Sequence, residues 1–301
     1  MVSAENTVAV IIPVCDNEEF VRRALFSVLA QTKMPDEIII VENSTSRSPE
    51  YYAFLSSLPR ICRTIFAEPR IGPSNARNLG AKCASSTFLA FLDADDEWVE
   101  DKISAQLDFM ASHHHVASST GFFFVIEDQS IRKNSKSNQL GGLKDKQSVN
   151  HFALGSTLMI KRDSFNNLNG FQENLSRFED WEFGIKSTIN GYDIAFYPRA
   201  LSKIHRLPND NWRGAGIAIS QLASIIKKYR SEGKLSTRFY FKIVSGIFYE
   251  KAVIHYREKR YLKTFLLLTI SSIINLKVLR VIRFSKRLTN FYRNIFRNKS
   301  T

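Results

Sequence analysis

Cysteine is scarce: the 301 residues contain three, Cys15, Cys62 and Cys83, and none stands at CxxC or CxxxC spacing. That spacing excludes a zinc site of the usual cysteine pattern and a disulfide framework, fits a reducing compartment, and leaves the three as small buried hydrophobes. Also missing is an uninterrupted apolar run of about 18 residues, the minimum for a membrane-spanning helix. The longest candidate, Phe265 to Leu276, is interrupted by Thr269, Ser271, Ser272 and Asn275. Met1 to Thr7 is polar and lacks the basic and apolar regions of a cleavable signal peptide, so a cytoplasmic protein is expected. No GxGxxG follows the first apolar run and no GxxxxGK[ST] occurs. A phosphate would therefore be held by metal, basic side chains or helix amides, without a glycine-rich cradle.

What is present begins with a core: 44% of residues are apolar and 12% aromatic, enough for a large α/β domain with or without an appendage. The formal charge of +13 is unevenly placed. Residues 1–205 carry 21 Lys/Arg against 25 Asp/Glu, and residues 206–301 carry 21 against 4, a net +17. The basic character belongs to the carboxyl-terminal third.

Val8 to Val14 is a continuous apolar run ending in Cys15-Asp16-Asn17-Glu18-Glu19, the composition of a buried parallel strand entering a helix. Phe20, Val21, Ala24, Leu25, Val28 and Leu29 follow at helical spacing. Glu37 to Val41 predicts a second strand running into Glu42-Asn43-Ser44, Arg63 to Ala67 a third, and Thr87 to Leu92 a fourth. Between the last two lies a glycine-bounded loop and helix, Gly72 to Ala84. This alternation predicts a Rossmann-like, mostly parallel sheet with flanking helices and a crevice at the carboxyl ends of the strands. Further strands are expected at Gly121 to Ile126, Ser156 to Lys161 and Tyr192 to Pro198, a loop or hairpin over 127–150, and a helix from Phe178 to Ile189. Beyond Asn211 the reading is helical, over Ile217 to Tyr229, Phe239 to Tyr256 and Tyr261 to Ile274, followed by a basic amphipathic segment from Leu276 to Asn298. The expected division is a domain over 1–210 and a helical, basic region over 211–301.

The fourth strand ends in Asp93-Ala94-Asp95-Asp96-Glu97-Trp98. Acids delivered to a strand's carboxyl end, two of them with period two, suit a hard cation such as Mg²⁺ or Mn²⁺ that keeps coordination sites for phosphate oxygens. The same acids equally suit a helix N-terminus.

Five stretches in order carry a resemblance to the family 2 glycosyltransferases, inverting enzymes of the GT-A fold that use nucleotide-diphosphate sugars. They are Val10-Ile-Ile-Pro-Val14 with Asn17-Glu18; Ile40-Val-Glu-Asn-Ser-Thr45; Gly72 to Gly80 as G-x-x-x-A-R-N-x-G; Phe91 to Trp98, with the DXD motif Asp93-Ala94-Asp95; and Phe178-Glu-Asp-Trp-Glu-Phe183. The resemblance covers residues 8–205. It implies that Pro13, Val14, Glu42 and Asn43 border the nucleotide base, with Glu42 and Asn43 departing from the aspartates usual there, which leaves the base open. It implies donor contacts from Arg77, Asn78, Asp93 and Ala94, and a metal held by Asp95 with His205. It also implies Asp180, or its neighbour Glu179, as the base that takes the acceptor proton. The blander readings are helix capping for Arg77, Asn78 and Asp180 and a packing role for His205. The Asn209-Asp210 loop is a candidate lid.

The implied activity moves a sugar, with inversion and metal assistance, onto a glycan or lipid-linked acceptor in polysaccharide biosynthesis. Residues 211–301 suggest a peripheral attachment to an anionic membrane, on the inner face of the cell membrane, and no nucleic-acid-binding fold is recognised. The competing readings are a helical extension that packs on the catalytic domain or a second subunit, and a non-catalytic or membrane-surface binding protein on a degenerate transferase fold.

Overall fold

The structure is a computed structural model that describes residues 6–16, 18–126, 133–135, 154–206 and 214–274. Asn17, most of the 127–150 stretch, the Asn209-Asp210 loop and the basic segment from Leu276 to Asn298 lie outside the described residues. The chain divides into two compact units, Met1–Asn211 and Trp212–Thr301.

A strand covered by helices on both faces must be apolar at successive positions, and β1 (Val8–Val14) is. Val8, Val10, Ile12 and Val14 enter one core, and Ala9 and Ile11 enter another on the opposite face. Helices α1 (Glu18–Leu29) and α2 (Pro49–Ser56) close the first core with Val21, Ala24, Leu25 and Val28 and with Tyr51 and Leu55. Strands β2 (Glu37–Glu42) and β3 (Cys62–Phe66) extend the sheet. Helix α3 (Pro73–Cys83) covers the second core through Ala76 and Ala81. With β4 (Phe88–Phe91) the order β3-β2-β1-β4 is parallel throughout. Each fully buried Val or Ile contributes about 1.5–3 kcal/mol. A one-residue slip in register would exchange the two faces of every strand.

Past β4 the sheet becomes mixed. The chain continues through β5 (Glu97–Trp98), α4 (Lys102–Ser112), β6 (Ala117–Ile126), β7 (Lys133–Ser135), α5 (Leu154–Thr157), β8 (Met159–Lys161), α6 (Arg162–Asn167), α7 (Glu179–Ile189) and β9 (Ile194–Arg206). The full order is β3-β2-β1-β4-β8-β6-β9-β5, with β7 paired to β6. Only β6 and β9 run parallel in this half; the pairings β4 with β8, β6 with β8, β6 with β7 and β5 with β9 are antiparallel.

Three local expectations are corrected. The stretch from Ser156 is not a strand from its first residue: α5 occupies Leu154–Thr157 and the strand starts at Met159. The strand expected to stop at Pro198 continues to Arg206, because the register slips opposite Gly121 and leaves Pro198 and Arg199 out of the ladder, so the missing N–H of proline costs no pairing. The cysteines are not buried: Cys15 is exposed, and Cys62 and Cys83 are half-buried.

The second unit is helical over its described residues, with α8 (Ala215–Ser231), α9 (Thr237–Arg257) and α10 (Tyr261–Ile274). Ser236 caps α9 by accepting from the Phe239 N–H. Arg230 closes the α8–α9 turn on the Leu235 carbonyl and the Thr237 hydroxyl.

Candidate active site

The acids after β4 alternate as their period requires. Asp93, Asp95 and Glu97 are half-exposed, whereas Ala94, Asp96 and Trp98 are buried. The turn closes when the Asp96 N–H donates to the Asp93 carbonyl at 3.0 Å. Ala94 buries its methyl in the core. Asp96 is a brace: one carboxylate oxygen accepts from the Ser156 hydroxyl at 2.5 Å and the other from the His205 N–H at 2.9 Å. Burial, then the charges of Asp95 and Asp93, push its pKa well up. Antiparallel pairing of β5 with β9 sets Glu97 against Lys203. Glu97 accepts from Lys203 Nζ at 3.0 Å and lies 2.9 Å from His205 Nε2. The His205 bond, with help from Lys203 and against burial, lowers the Glu97 pKa to about 2. His205 is thus beside the acid turn, with Nε2 committed to Glu97.

Arg77 joins the acid turn to the carboxyl-terminal acid motif. It is 4% exposed, its Nη2 donates to Asp93 Oδ1 at 2.5 Å, and its Nη1 donates to Glu179 Oε1 at 2.9 Å. Burial works against its charge, yet the two carboxylates hold its pKa above the usual value. Two close approaches put it there. Gly80 lets α3 lie on the sheet: a methyl at this position would come 2.5 Å from Ile11 Cγ2 and 3.1 Å from Val41 Cγ2. Asn78 then ties α3 to the segment before α7, donating to the Phe171 carbonyl at 2.9 Å and accepting from the Phe171 N–H at 2.8 Å.

Glu179 and Asp180 open α7, whose N-cap position is Phe178 in the left-handed region at φ 65°, without a side-chain cap. A left-handed phenylalanine is costly, by roughly 1–2 kcal/mol, so packing must hold it; its ring meets Trp181 edge-on at 6.2 Å. Asp180 therefore sits inside the first turn, not at the capping position, with Oδ1 accepting from the Trp181 N–H at 2.7 Å. Burial first, and the neighbouring Glu179 charge second, raise its pKa to about 7. A carboxylate poised there can take a proton at neutral pH.

The β1 and β2 ends form a second cluster along the same edge. Val14 lies opposite Glu42 in register and Pro13 opposite Val41. Glu42 is wholly buried: its oxygens accept from the Ser44 N–H at 2.7 Å and the Tyr51 hydroxyl at 2.9 Å, and Arg47 Nε is 3.2 Å away. Asn43 donates to the Val14 carbonyl at 2.6 Å, and its buried Oδ1 has no partner among the described residues. Glu42 is thus bonded within the protein, and the open hydrogen-bonding group at this end is the Asn43 amide oxygen.

Sequence reasoning missed Gly155 and Ser156. A methyl on Gly155 would fall 2.4 Å from Asp93 Oδ2 and 2.6 Å from Arg77 Nη2. The Ser156 hydroxyl accepts from the Asp93 N–H at 3.1 Å while donating to Asp96, and its carbonyl accepts from Trp98 Nε1 at 2.8 Å and Ser202 Oγ at 2.7 Å. The only hint in the sequence is a Gly-Ser pair ahead of an apolar run.

Among the described residues no three His, Cys, Asp or Glu side chains gather into a metal cage. The donor set does suit a hard dication completed by substrate oxygens. The Asp95 carboxylate is raised to about pKa 6 by burial and then by the Asp93 charge, a repulsion that a cation would relieve.

A family profile described as Glycosyl transferase family 2 matches residues 9–168. An uncharacterized glycosyltransferase of Rickettsia conorii is 29% identical over 209 residues, 66% of this chain but 33% of its own length. The Escherichia coli UDP-Glc:alpha-D-GlcNAc-diphosphoundecaprenol beta-1,3-glucosyltransferase WfgD is 30% identical over 41% of this chain and 48% of its own. The chain thus aligns with half or less of these relatives. The crystal structure of Staphylococcus aureus TarS 1-349 in complex with UDP-GlcNAc superposes with a TM-score of 0.63 at 16% identity, covering 92% of this chain and 83% of that one. This is the fold expected from the sequence.

Proposed function

The chain belongs to glycosyl transferase family 2, and on that premise we propose that it moves a sugar from a nucleotide-diphosphate sugar to an acceptor hydroxyl, with inversion at the anomeric carbon. The observation that carries the reading is the continuous chain Asp93, Arg77, Glu179, in which one buried guanidinium spans the donor-side acid turn and the start of α7. In this reading Asp180 takes the acceptor proton as the oxygen attacks, and its pKa of about 7 leaves it substantially ionised at neutral pH. Glu179 pairs with Arg77 and positions the helix start. Asp93 faces the ribose or donor sugar, and Ala94 fixes the turn from beneath. Pro13, Val14 and Asn43 border the base, Glu42 holding the strand end in shape.

Asp95 would hold Mg²⁺ or Mn²⁺, with His205 as its candidate partner once its Nε2 exchanges Glu97 for the cation. Such a cation, when bound, neutralises charge on the departing diphosphate. The UDP-GlcNAc complex of TarS supports a nucleotide-sugar donor, and the WfgD acceptor supports a lipid-linked acceptor in polysaccharide biosynthesis. A lipid-linked acceptor would also give residues 211–301, with their excess of Lys and Arg, a reason to meet an anionic membrane.

The test follows release of nucleoside diphosphate from a panel of nucleotide sugars, with and without Mn²⁺. Metal-dependent turnover of one donor, lost in both Asp95→Ala and Asp180→Asn, is the expected result. Turnover that survives both substitutions refutes the assigned roles.

A further inference from the structure

Helix α10 is inside out for a protein surrounded by water. Its buried residues are Thr264, Ser271 and Ser272. Four of its large apolar side chains point away: Leu262 is 84% exposed, Ile273 72%, Leu266 58% and Phe265 51%, while Leu267, Leu268, Ile270 and Ile274 are half-buried. Positions 262, 265, 266 and 273 share one helical face. The Ser271 hydroxyl is turned onto α9, where Ser245 Oγ donates to the Ser271 carbonyl at 3.0 Å and Ser271 Oγ donates to the Ser245 carbonyl at 2.8 Å. In water an amphipathic helix buries its leucines and exposes its serines. Small hydroxyl residues between helices, with Leu, Ile and Phe outside, is the arrangement suited to hydrocarbon surroundings.

Charge decides between occupants. Residues 214–274 carry 11 Lys/Arg against 3 Asp/Glu, and residues 275–301 add 8 Lys/Arg and no acid. Arg260 and Lys263, both exposed, stand at the start of the apolar face. A second copy of the hairpin, or the following basic segment laid over it, would bring like charge against like charge. Anionic lipid headgroups attract all of it. The helix has 14 residues, about 21 Å at 1.5 Å per residue, and no helix among the described residues is long and apolar enough to cross a membrane. The geometry fits a helix lying in the interface plane.

We propose that Leu262, Phe265, Leu266 and Ile273 form an insertion face that seats the α9–α10 hairpin in the headgroup region of an anionic bilayer. This rests on the membrane-surface reading above and adds to it that apolar insertion, and not charge alone, secures the attachment.

The test uses the full chain and vesicles of phosphatidylcholine with and without phosphatidylglycerol. The wild type is expected to co-sediment with the anionic vesicles, and Leu262→Glu/Leu266→Glu to bind about tenfold or more weakly, with unchanged helical circular dichroism. The indole introduced by Leu266→Trp is expected to be quenched by lipids brominated on their acyl chains. If the wild type binds no vesicle, the membrane-surface reading itself fails. If the wild type binds and the double variant binds equally well, or the indole escapes quenching, the insertion face is overturned while electrostatic attachment stands. Light scattering that shows the double variant converting a dimer to a monomer, with vesicle binding unchanged, assigns the face to self-association and also overturns the proposal.

Discussion

Arg77 answers two acids that lie 16 and 102 positions away in the chain; removing it strips Glu179 of its cation, and removing either acid takes one of the two carboxylates from a buried guanidinium. The space around it is as demanding as the charge. Gly155→Ala drives a methyl into the Asp93–Arg77 contact, and overpacking of this kind costs about 1–3 kcal/mol. We expect lower thermal stability by calorimetry and a larger loss in kcat/KM than the stability change alone explains; an alanine variant as active and stable as wild type would contradict the geometry.

As the proposed base, Asp180 would carry the pH dependence of the rate. Its folded pKa of about 7 lies above the ordinary carboxylate value, so the proton-accepting form is depleted as pH falls through 7. The rate is therefore expected to rise with pH through a single limb near 7, and Asp180→Asn is expected to lower kcat by about 10²–10⁴. The sign for stability is opposite. The native state binds a proton that the unfolded chain has already released between its ordinary pKa and 7, so this carboxylate becomes increasingly destabilising as pH rises through that window. Chemical denaturation at pH 8 should find Asp180→Asn more stable than wild type.

Lys102 is a separate cost, lying against the Trp98 ring at the end of the acid turn. It is fully buried, its Nζ has no hydrogen-bond partner among the described residues, and it packs 3.7 Å over the Trp98 ring. Burial holds its pKa well below the ordinary lysine value. Replacing it by methionine of similar shape is expected to add about 1–3 kcal/mol at neutral pH. It should also flatten the rise of stability with pH that a depressed lysine produces; urea titrations at two pH values read both.

At the scale of elements, legibility followed periodicity. β1, β2, α1 and α10 were readable because each is a continuous apolar run or a helical repeat with few interruptions. The acid turn was readable because alternation at 92–98 survives the change from strand to turn. Helices α2 and α4 were not anticipated. α2 is short, with two of its eight residues buried, and α4 mixes buried Lys102 and Gln106 with its apolar positions, which obscures its period. β9 was cut at Pro198, since proline normally ends a ladder, and only the partner strand reveals the slip that admits it. Gly155 and Ser156 were invisible for a related reason: their importance lies in what folds against them from β4, β5 and β9, and no local pattern records that. Glu42 was legible as an acid at a strand end, but its burial and its saturation by Ser44, Tyr51 and Arg47 come from the following loop and helix.

In the whole molecule the first unit supplies a parallel half whose strand ends gather the acid turn and the Glu42–Asn43 cluster, and a mixed half that delivers α7 and His205. The second unit supplies positive charge and an apolar helix face turned outward. The central claim is a single displacement at the anomeric carbon, with Asp180 as the base. The most direct measurement is the anomeric configuration of the product by NMR, for whichever donor supports turnover. The account predicts that an α-linked nucleotide sugar gives a β-linked product with no α product. Retention of configuration would contradict it, because a single in-line displacement inverts the anomeric centre.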